Sequence, residues 1–132
     1  MKKIHIKTSS REELVDITDQ LYQEITTMHV SDGVAMLYCP HTTCAVTINE
    51  GYDPDVQLDI MKFFTELVPF KHQWLHAEGN SDAHIKSSLI GASILIPIEK
   101  GQLCLGTWQL IYLYEGDGPR ERTLWLKILG KA

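Results

Sequence analysis

The sequence is short of cysteine, of long apolar runs and of positive charge. Its only cysteines are Cys39, Cys44 and Cys104. The number is odd, no C-x-x-C pair exists, and each thiol sits in an apolar run, so a disulfide framework is not indicated and buried reduced thiols are expected. Cys39 and Cys44 flank "PHTT", which leaves a thiolate contribution to a metal site conceivable. The longest greasy stretch, "SLIGASILIPI", is interrupted by glycine and proline and is too short to span a bilayer. "MKKIHIKTSS" opens with positive charge, but no apolar stretch follows it, so no secretory signal is expected. Twelve Lys and Arg stand against 17 Asp and Glu, a net charge of −5. That balance argues against general affinity for nucleic acid or an anionic membrane, while leaving room for a local basic pocket. A cytoplasmic protein with a small-molecule substrate is the expectation. Repeats, low-complexity tracts and linkers are also missing, so residues 1–132 read as one domain, long enough for a core without disulfides or a structural metal.

What is present is a mixture of strand and helix patterns. "KKIHIKT" alternates and reads as a strand. The next segment supports two readings. Ser10 and Glu13 fit a capping box, and Leu14, Ile17, Leu21, Ile25 and Met28 recur at helical spacing, which favours one helix from about Ser10 to Met28. Alternatively "ELVDIT" is a strand and Thr18 caps a shorter helix from Asp19. "GVAMLYC" and "TCAVTIN" are strand-like and joined by "PHT". "DPDVQLDIMKFFTELVP" is the clearest helix, with Asp53 as cap, Pro54 in the first turn, and Val56, Ile60, Phe63, Phe64 and Leu67 along one side. "SDAHIKSSLIG" reads as a short helix starting at Asn80 or Ser81 and ending at Gly91. "ASILIPI", "LCLGTWQLIYLYE" and "RTLWLKIL" follow as strands at hairpin spacing, separated by a turn at Gly101 and by "GDGPR". The fold class is α+β, mostly antiparallel sheet with two or three helices set against it.

The segment "HAEGNSDAHIKSS", His76 to Ser88, is too polar to fill a core. Of the six histidines, His5, His29 and His72 fall where a solvated imidazole is the ordinary outcome. His41 stands in a turn between two apolar strands, and His76 and His84 lie eight apart across a glycine-containing bend. A catalytic zinc site uses three protein ligands and keeps a fourth position for water. Three histidines from two loops meet that requirement, although their spacing matches no standard signature. Lys86, Ser87 and Ser88 follow His84 near a helix start that can favour an anion, with Asn80 just before it. In "NEGYDPD", Asp53 is explained as a cap, whereas Glu50 is free to be a general base or a partner of a ligating histidine, with Asn49 beside it. "GTWQ" interrupts an apolar strand and offers Thr107 and Gln109 as polar contacts, with Trp108 assignable to the core. Glu115 closes that strand, and Arg120 and Arg122 follow, suited to gripping phosphate or carboxylate or to a solvated face.

The ordered motifs "HTTCAVTINE", "DPDV", "HAEGNSDAHIKSSLIGAS" and "GQLCLGTWQ" resemble the YjbQ-like family, often labelled secondary thiamine-phosphate synthase, over essentially the whole chain. The most specific mark is G-x-x-x-x-G-T-W-Q, Gly101 to Gln109. The resemblance implies a single YjbQ-like domain, a two-layer β-sandwich with helices in which "ELVDIT" is a strand, and a homotrimer about a threefold axis. It also implies that the matching histidines, His41, His76 and His84, hold a divalent metal, with zinc the first choice for imidazole ligands.

The label implies a transferase that joins a pyrimidine-methyl diphosphate to a thiazole phosphate and releases pyrophosphate. Cations stabilise such a leaving group, commonly magnesium with Lys or Arg. The resulting expectation is a metal-dependent enzyme acting on a small phosphorylated or heterocyclic metabolite. Its catalytic candidates are Glu50, Lys86, Gln109 and Glu115. Its substrate contacts are Asn49, Asn80, Ser87, Thr107 and Arg120. A metal-dependent phosphoester hydrolase and a non-catalytic trimeric metal- or ligand-binding protein are the alternatives.

Overall fold

The computed structural model describes residues 1–130. In chain order the elements are β1 (Lys2–Lys7), β2 (Glu13–Asp16), α1 (Thr18–Thr27), β3 (Asp32–Tyr38), β4 (Cys44–Glu50), α2 (Pro54–Leu67), α3 (Ser81–Ile90), β5 (Ser93–Glu99), β6 (Gln102–Leu103), β7 (Gln109–Glu115) and β8 (Glu121–Leu129). Two antiparallel sheets result, one of five strands in the order β1-β8-β3-β5-β6 and one of three in the order β2-β7-β4. The α+β class with three helices is therefore as expected.

Strand alternation builds the core. Ile4, Ile6, Ala35, Leu37, Ile96, Ile98, Leu124 and Leu126 of the larger sheet are buried in one cluster with Val46, Ile111 and Leu113 of the smaller. Leu21 and Ile25 of α1 join the same cluster. Each large aliphatic side chain buried this way contributes roughly 1.5–3 kcal/mol. The alternate residues of the smaller sheet, Ala45, Tyr112 and Tyr114, are buried outside that cluster, and α3 packs on β4 with Ala83 fully buried.

The segment after β1 resolves in favour of strand. Glu13 reaches back as a capping-box acid would, accepting from the N–H groups of Ser9 (2.6 Å) and Ser10 (2.7 Å), but the chain continues as β2. Pairing with β7, from Glu13 opposite Glu115 to Asp16 opposite Tyr112, outweighs the helical spacing. Asp16 then accepts from both the N–H and the hydroxyl of Thr18, and α1 starts there with Ile17 at its N-cap position.

Three further expectations change in detail. β5 and β6 do form a hairpin, but β7 joins the smaller sheet and β8 the larger, so "GDGPR" crosses between layers. "GTWQ" is a turn before β7, closed by Gly106 N–H donating to Gln109 Oε1 at 2.8 Å, and Trp108 is exposed against Tyr52 at 5.8 Å between ring centres. α2 is capped by Asp53 as expected, yet none of its residues is buried. Phe63 and Leu67 remain 60% and 55% exposed, and a cavity of about 310 Å³ lies between Ile60, Met61 and Phe64 of α2 and Leu89, Tyr112 and Tyr114. The apolar side of α2 is real but does not close onto this chain's own core.

Candidate functional site

The site lies at the end of the smaller sheet where β4 begins and β7 finishes, with Cys44 paired to Glu115. There the "PHTT" loop, the start of α3 and the turn before β8 meet. The frame is a buried ion pair. Glu115, fully buried, receives Arg122 Nε at 2.9 Å, the Thr8 hydroxyl at 2.8 Å and Asp117 N–H at 3.0 Å. The Arg122 guanidinium also donates to the Thr43 hydroxyl at 2.8 Å and to its carbonyl at 3.2 Å, fixing the loop. Burial alone would raise the Glu115 pKa, but the hydrogen bonds from Arg122, Asp117 and Thr8 outweigh it and hold the carboxyl below its ordinary value.

A second frame anchors α3. Lys86, 1% exposed, donates to Glu12 at 2.8 Å and to Asp82 at 3.4 Å. Asp82 also receives Arg11 at 3.0 Å, and Tyr114 donates to Glu12 at 2.9 Å. The Arg11 guanidinium stacks over Phe70 at 4.1 Å. Gly116 permits the close approach, because a Cβ there would sit 2.9 Å from the Ala83 Cβ and 3.0 Å from Thr43 O. Gly91 ends α3 at φ +115°, a conformation L residues rarely adopt. Its carbonyl accepts from Val46 N–H and the Ala92 carbonyl from Cys39 N–H, so the end of α3 ties down both strands that carry the "PHTT" loop.

Between these frames the histidines gather in pairs. The rings of His76 and His84 are 5.3 Å apart and nearly perpendicular, at 89°. His41 and His84 together line two adjoining cavities of about 340 and 490 Å³. His84 is common to both relationships, and its ring has no hydrogen-bond partner among the described residues. His41 Nε2 lies against the Thr123 peptide, 3.0 Å from its N–H and 3.1 Å from its carbonyl, while Nδ1 is unpartnered among the described residues. Burial and the Arg122 charge lower the His41 pKa and so favour the neutral imidazole, the ligating form. Imidazole nitrogens ~2.0–2.1 Å from a tetrahedral ion place two ring centres about 5 Å apart, so the His76–His84 spacing fits a shared cation. Among the described residues no three ligating side chains are already gathered around one point.

The other candidates divide by position. Asn80, Arg120 and Ser87 line the cavities beside His41 and His84. Lys86 and Glu115 border the site from inside the two ion-pair frames, with their charges already matched. Asn49, Glu50 and Gln109 lie at the opposite end of β4 and β7, where Glu50 pairs with Gln109. Six residue steps of extended strand, about 20 Å, separate Cys44 from Glu50. Glu50 there accepts the N–H groups of Tyr52 (2.8 Å) and Asp53 (2.9 Å) and shapes the turn into α2. Thr107 lies on the exposed turn at that same end. Asn80 occupies the α3 N-cap position without capping through its side chain, and instead donates from Nδ2 to Asp117 Oδ2 at 2.9 Å.

Sequence reasoning missed Arg11, Glu12, Asp82 and Asp117. Their partners are about 70 residues or more away for the first two, with separations of 71 for Arg11–Asp82 and 74 for Lys86–Glu12. Local pattern carries no such signal. The one available hint was Asp82 four residues before Lys86 on a helix.

Fold and cavity together define a small α+β domain of two antiparallel sheets with an imidazole-lined pocket at one sheet end. Residues 2–131 match the family described as "UPF0047 protein YjbQ-like". A UPF0047 protein of Methanocaldococcus jannaschii is 52% identical over 128 residues, 97% of this chain and 93% of the relative. YugU of Bacillus subtilis is 47% identical over 131 residues, 98% of this chain and 99% of the relative. The crystal structure of an uncharacterized conserved protein of this family from Clostridium acetobutylicum gives a TM-score of 0.94 at 46% identity, covering 98% of this chain and 100% of that one. A hypothetical protein from Aeropyrum pernix gives 0.93 at 39% identity, with 98% of each chain covered. The chain belongs to the YjbQ-like family.

Proposed function

We propose that this protein is a metal-dependent enzyme acting on a small phosphorylated or heterocyclic metabolite, with His41, His76 and His84 as the residues that would hold a divalent cation, zinc first. The observation that carries the reading is the His76–His84 pair, 5.3 Å apart, with His41 sharing the adjoining cavities. A cation there would act as a Lewis acid or lower the pKa of a bound water. The chain's own contribution would be to hold His41 with Nε2–H donated to the Thr123 carbonyl, which leaves the Nδ1 lone pair free to ligate, and to fix α3, which carries His84, through Lys86.

The thiamine-phosphate synthase reaction is one activity of this kind. It would need positive charge for departing pyrophosphate, and Lys86 and Arg122 are each matched by carboxylates. Magnesium would then have to supply that charge. This favours a second reading of the same site, hydrolysis of a phosphoester by metal-activated water. A panel of phosphoesters against the pyrimidine–thiazole pair separates the two by which product is released. His84→Ala should abolish turnover and metal content together; turnover that persists with the metal gone contradicts the assignment.

We further propose a homotrimer. Its support is the apolar surface left open on α2, α3 and β5, with Leu58, Phe63, Leu89 and Leu95 between 58% and 66% exposed. Three free cysteines suit the reducing cytoplasm as the place of action. No helix is long and apolar enough to cross a membrane among the described residues.

A further inference from the structure

His84 lines three cavities, of about 340, 480 and 490 Å³. His41 shares the first and last of them and His76 the second. Among the described residues that line these cavities there is one carboxylate, Glu78. It stands two positions after His76, and its Oε2 lies 3.6 Å from His76 Nε2. No Lys or Arg of the described residues comes within ion-pair distance of Glu78, and Arg120, which lines the same cavity, is held by Asp117 at 3.0 Å. Glu115 is committed to Arg122, and Glu50 to the turn into α2.

An imidazole has two ring nitrogens, and a partner on one decides which is left to ligate. Ligating histidines commonly donate the other ring N–H to a carboxylate or a backbone carbonyl, which fixes both tautomer and ring orientation. His41 has such a partner, with Nε2 3.1 Å from the Thr123 carbonyl. At His76 the nitrogen beside the carboxylate is Nε2, and Nδ1 has no hydrogen-bond partner among the described residues. The 3.6 Å separation is roughly half an ångström beyond a hydrogen bond. The Glu78 side chain is 74% exposed, so rotation about its own bonds is free to close that gap.

We infer that Glu78 is a positioning residue of this site: it accepts Nε2–H from His76 and so presents the Nδ1 lone pair, as the Thr123 carbonyl does for His41. The inference rests on reading His76 as a ligand and adds a residue outside the three histidines. His76 and Glu78 then form one unit, a ligand and its orienting acid on one short stretch of loop, set against His84 at 5.3 Å between ring centres. Glu78 acts through His76 in this arrangement, so its acceptor oxygen matters more than its charge. Glutamine can therefore replace it, and alanine cannot.

The test compares the full native chain with Glu78→Ala and Glu78→Gln, which should fold as the native protein does because the side chain they alter is exposed. In metal-free protein with its imidazoles neutral, nitrogen NMR of the rings should show His76 essentially all in the Nε2–H form. Glu78→Ala should return it to the mixed tautomers of a free imidazole. Calorimetric titration with zinc should give about tenfold weaker binding in Glu78→Ala, the lower end for such partners because both side chains meet solvent. Glu78→Gln keeps an acceptor oxygen and should recover most of that loss. Mixed tautomers at His76 in the native chain overturn the inference, and so does Glu78→Ala that binds zinc as tightly as the native protein. Glu78→Gln as weak as Glu78→Ala also overturns it, because charge or direct ligation, and not orientation, would then be at work. A native chain that takes up no zinc while His76 keeps the Nε2–H form sinks the metal reading and leaves the Glu78–His76 pairing standing.

Discussion

Arg122 and Glu115 form an ion pair sealed inside the domain, 3% and 0% exposed, and the same guanidinium grips Thr43 in the loop that carries His41. β7 delivers the acid and β8 the base from different sheets. The pair therefore fastens the two layers together at the point where the cavity opens. Its chemical position beside the histidines gives it a structural rather than a proton-transferring character, since every Glu115 oxygen is already engaged.

Removing one partner leaves a buried charge uncompensated. Arg122→Met should cost about 3–5 kcal/mol of folding stability. Urea unfolding measures it, and a loss under about 1 kcal/mol would mean that Glu115 finds water or another partner.

Acid sensitivity follows from the same carboxylates. Burial works to raise both pKa values, but Arg122 holds Glu115 below its ordinary value, and Arg11 and Lys86 do the same for Asp82. A carboxyl with a lowered folded-state pKa stabilises the protein fully above its unfolded value of about 4, and that contribution is lost as pH falls through the folded value. Stability measured from pH 7 down to pH 2 should stay level and then drop below about pH 4. In Glu115→Gln the drop should be shallower, even though the variant begins less stable. A slope in Glu115→Gln identical to that of the native protein would remove Glu115 from the account.

Lys86 separates a structural from a catalytic role. Its ammonium is 1% exposed and shared by Glu12 and Asp82, so Lys86→Met should unfold at lower denaturant by about 3 kcal/mol or more. If Lys86 instead met substrate directly, stability would hold and only turnover would fall.

The open side of α2 makes the assembly testable. Phe63→Glu combined with Leu67→Lys replaces two exposed apolar groups that contribute nothing to the core of a single chain. Light scattering should give a trimer for the native protein and a smaller species for the double variant, with the helix content unchanged. A native monomer would contradict the proposed assembly.

Much of this was legible in the sequence because it is local. Asp53 with Pro54 marks the start of α2, Gly91 the end of α3, and alternation marks β1, β4 and β8. The Ser10–Glu13 box was local too, and by itself it pointed to a helix; the strand implied by the family resemblance is the one that forms, because the acid makes its contacts while strand pairing at long range decides the element. Strand partners, the layer crossing between β7 and β8, and the network of Arg11, Glu12, Asp82 and Lys86 depend on residues far apart in the chain. For the site, the polar run from His76 to Ser88 announced a pocket wall, and His84, Asn80 and Ser87 do line cavities. Which acids stood near it was not readable, since Glu50 and Glu115 occupy opposite ends of the same sheet.

The metal is the center of the account, and elemental analysis of protein purified without chelators tests it most directly. About one zinc or other divalent ion per chain is expected, falling to near zero in His84→Ala while the folded signal persists. A native protein that neither carries such an ion nor takes up zinc on titration would contradict the assignment of His41, His76 and His84.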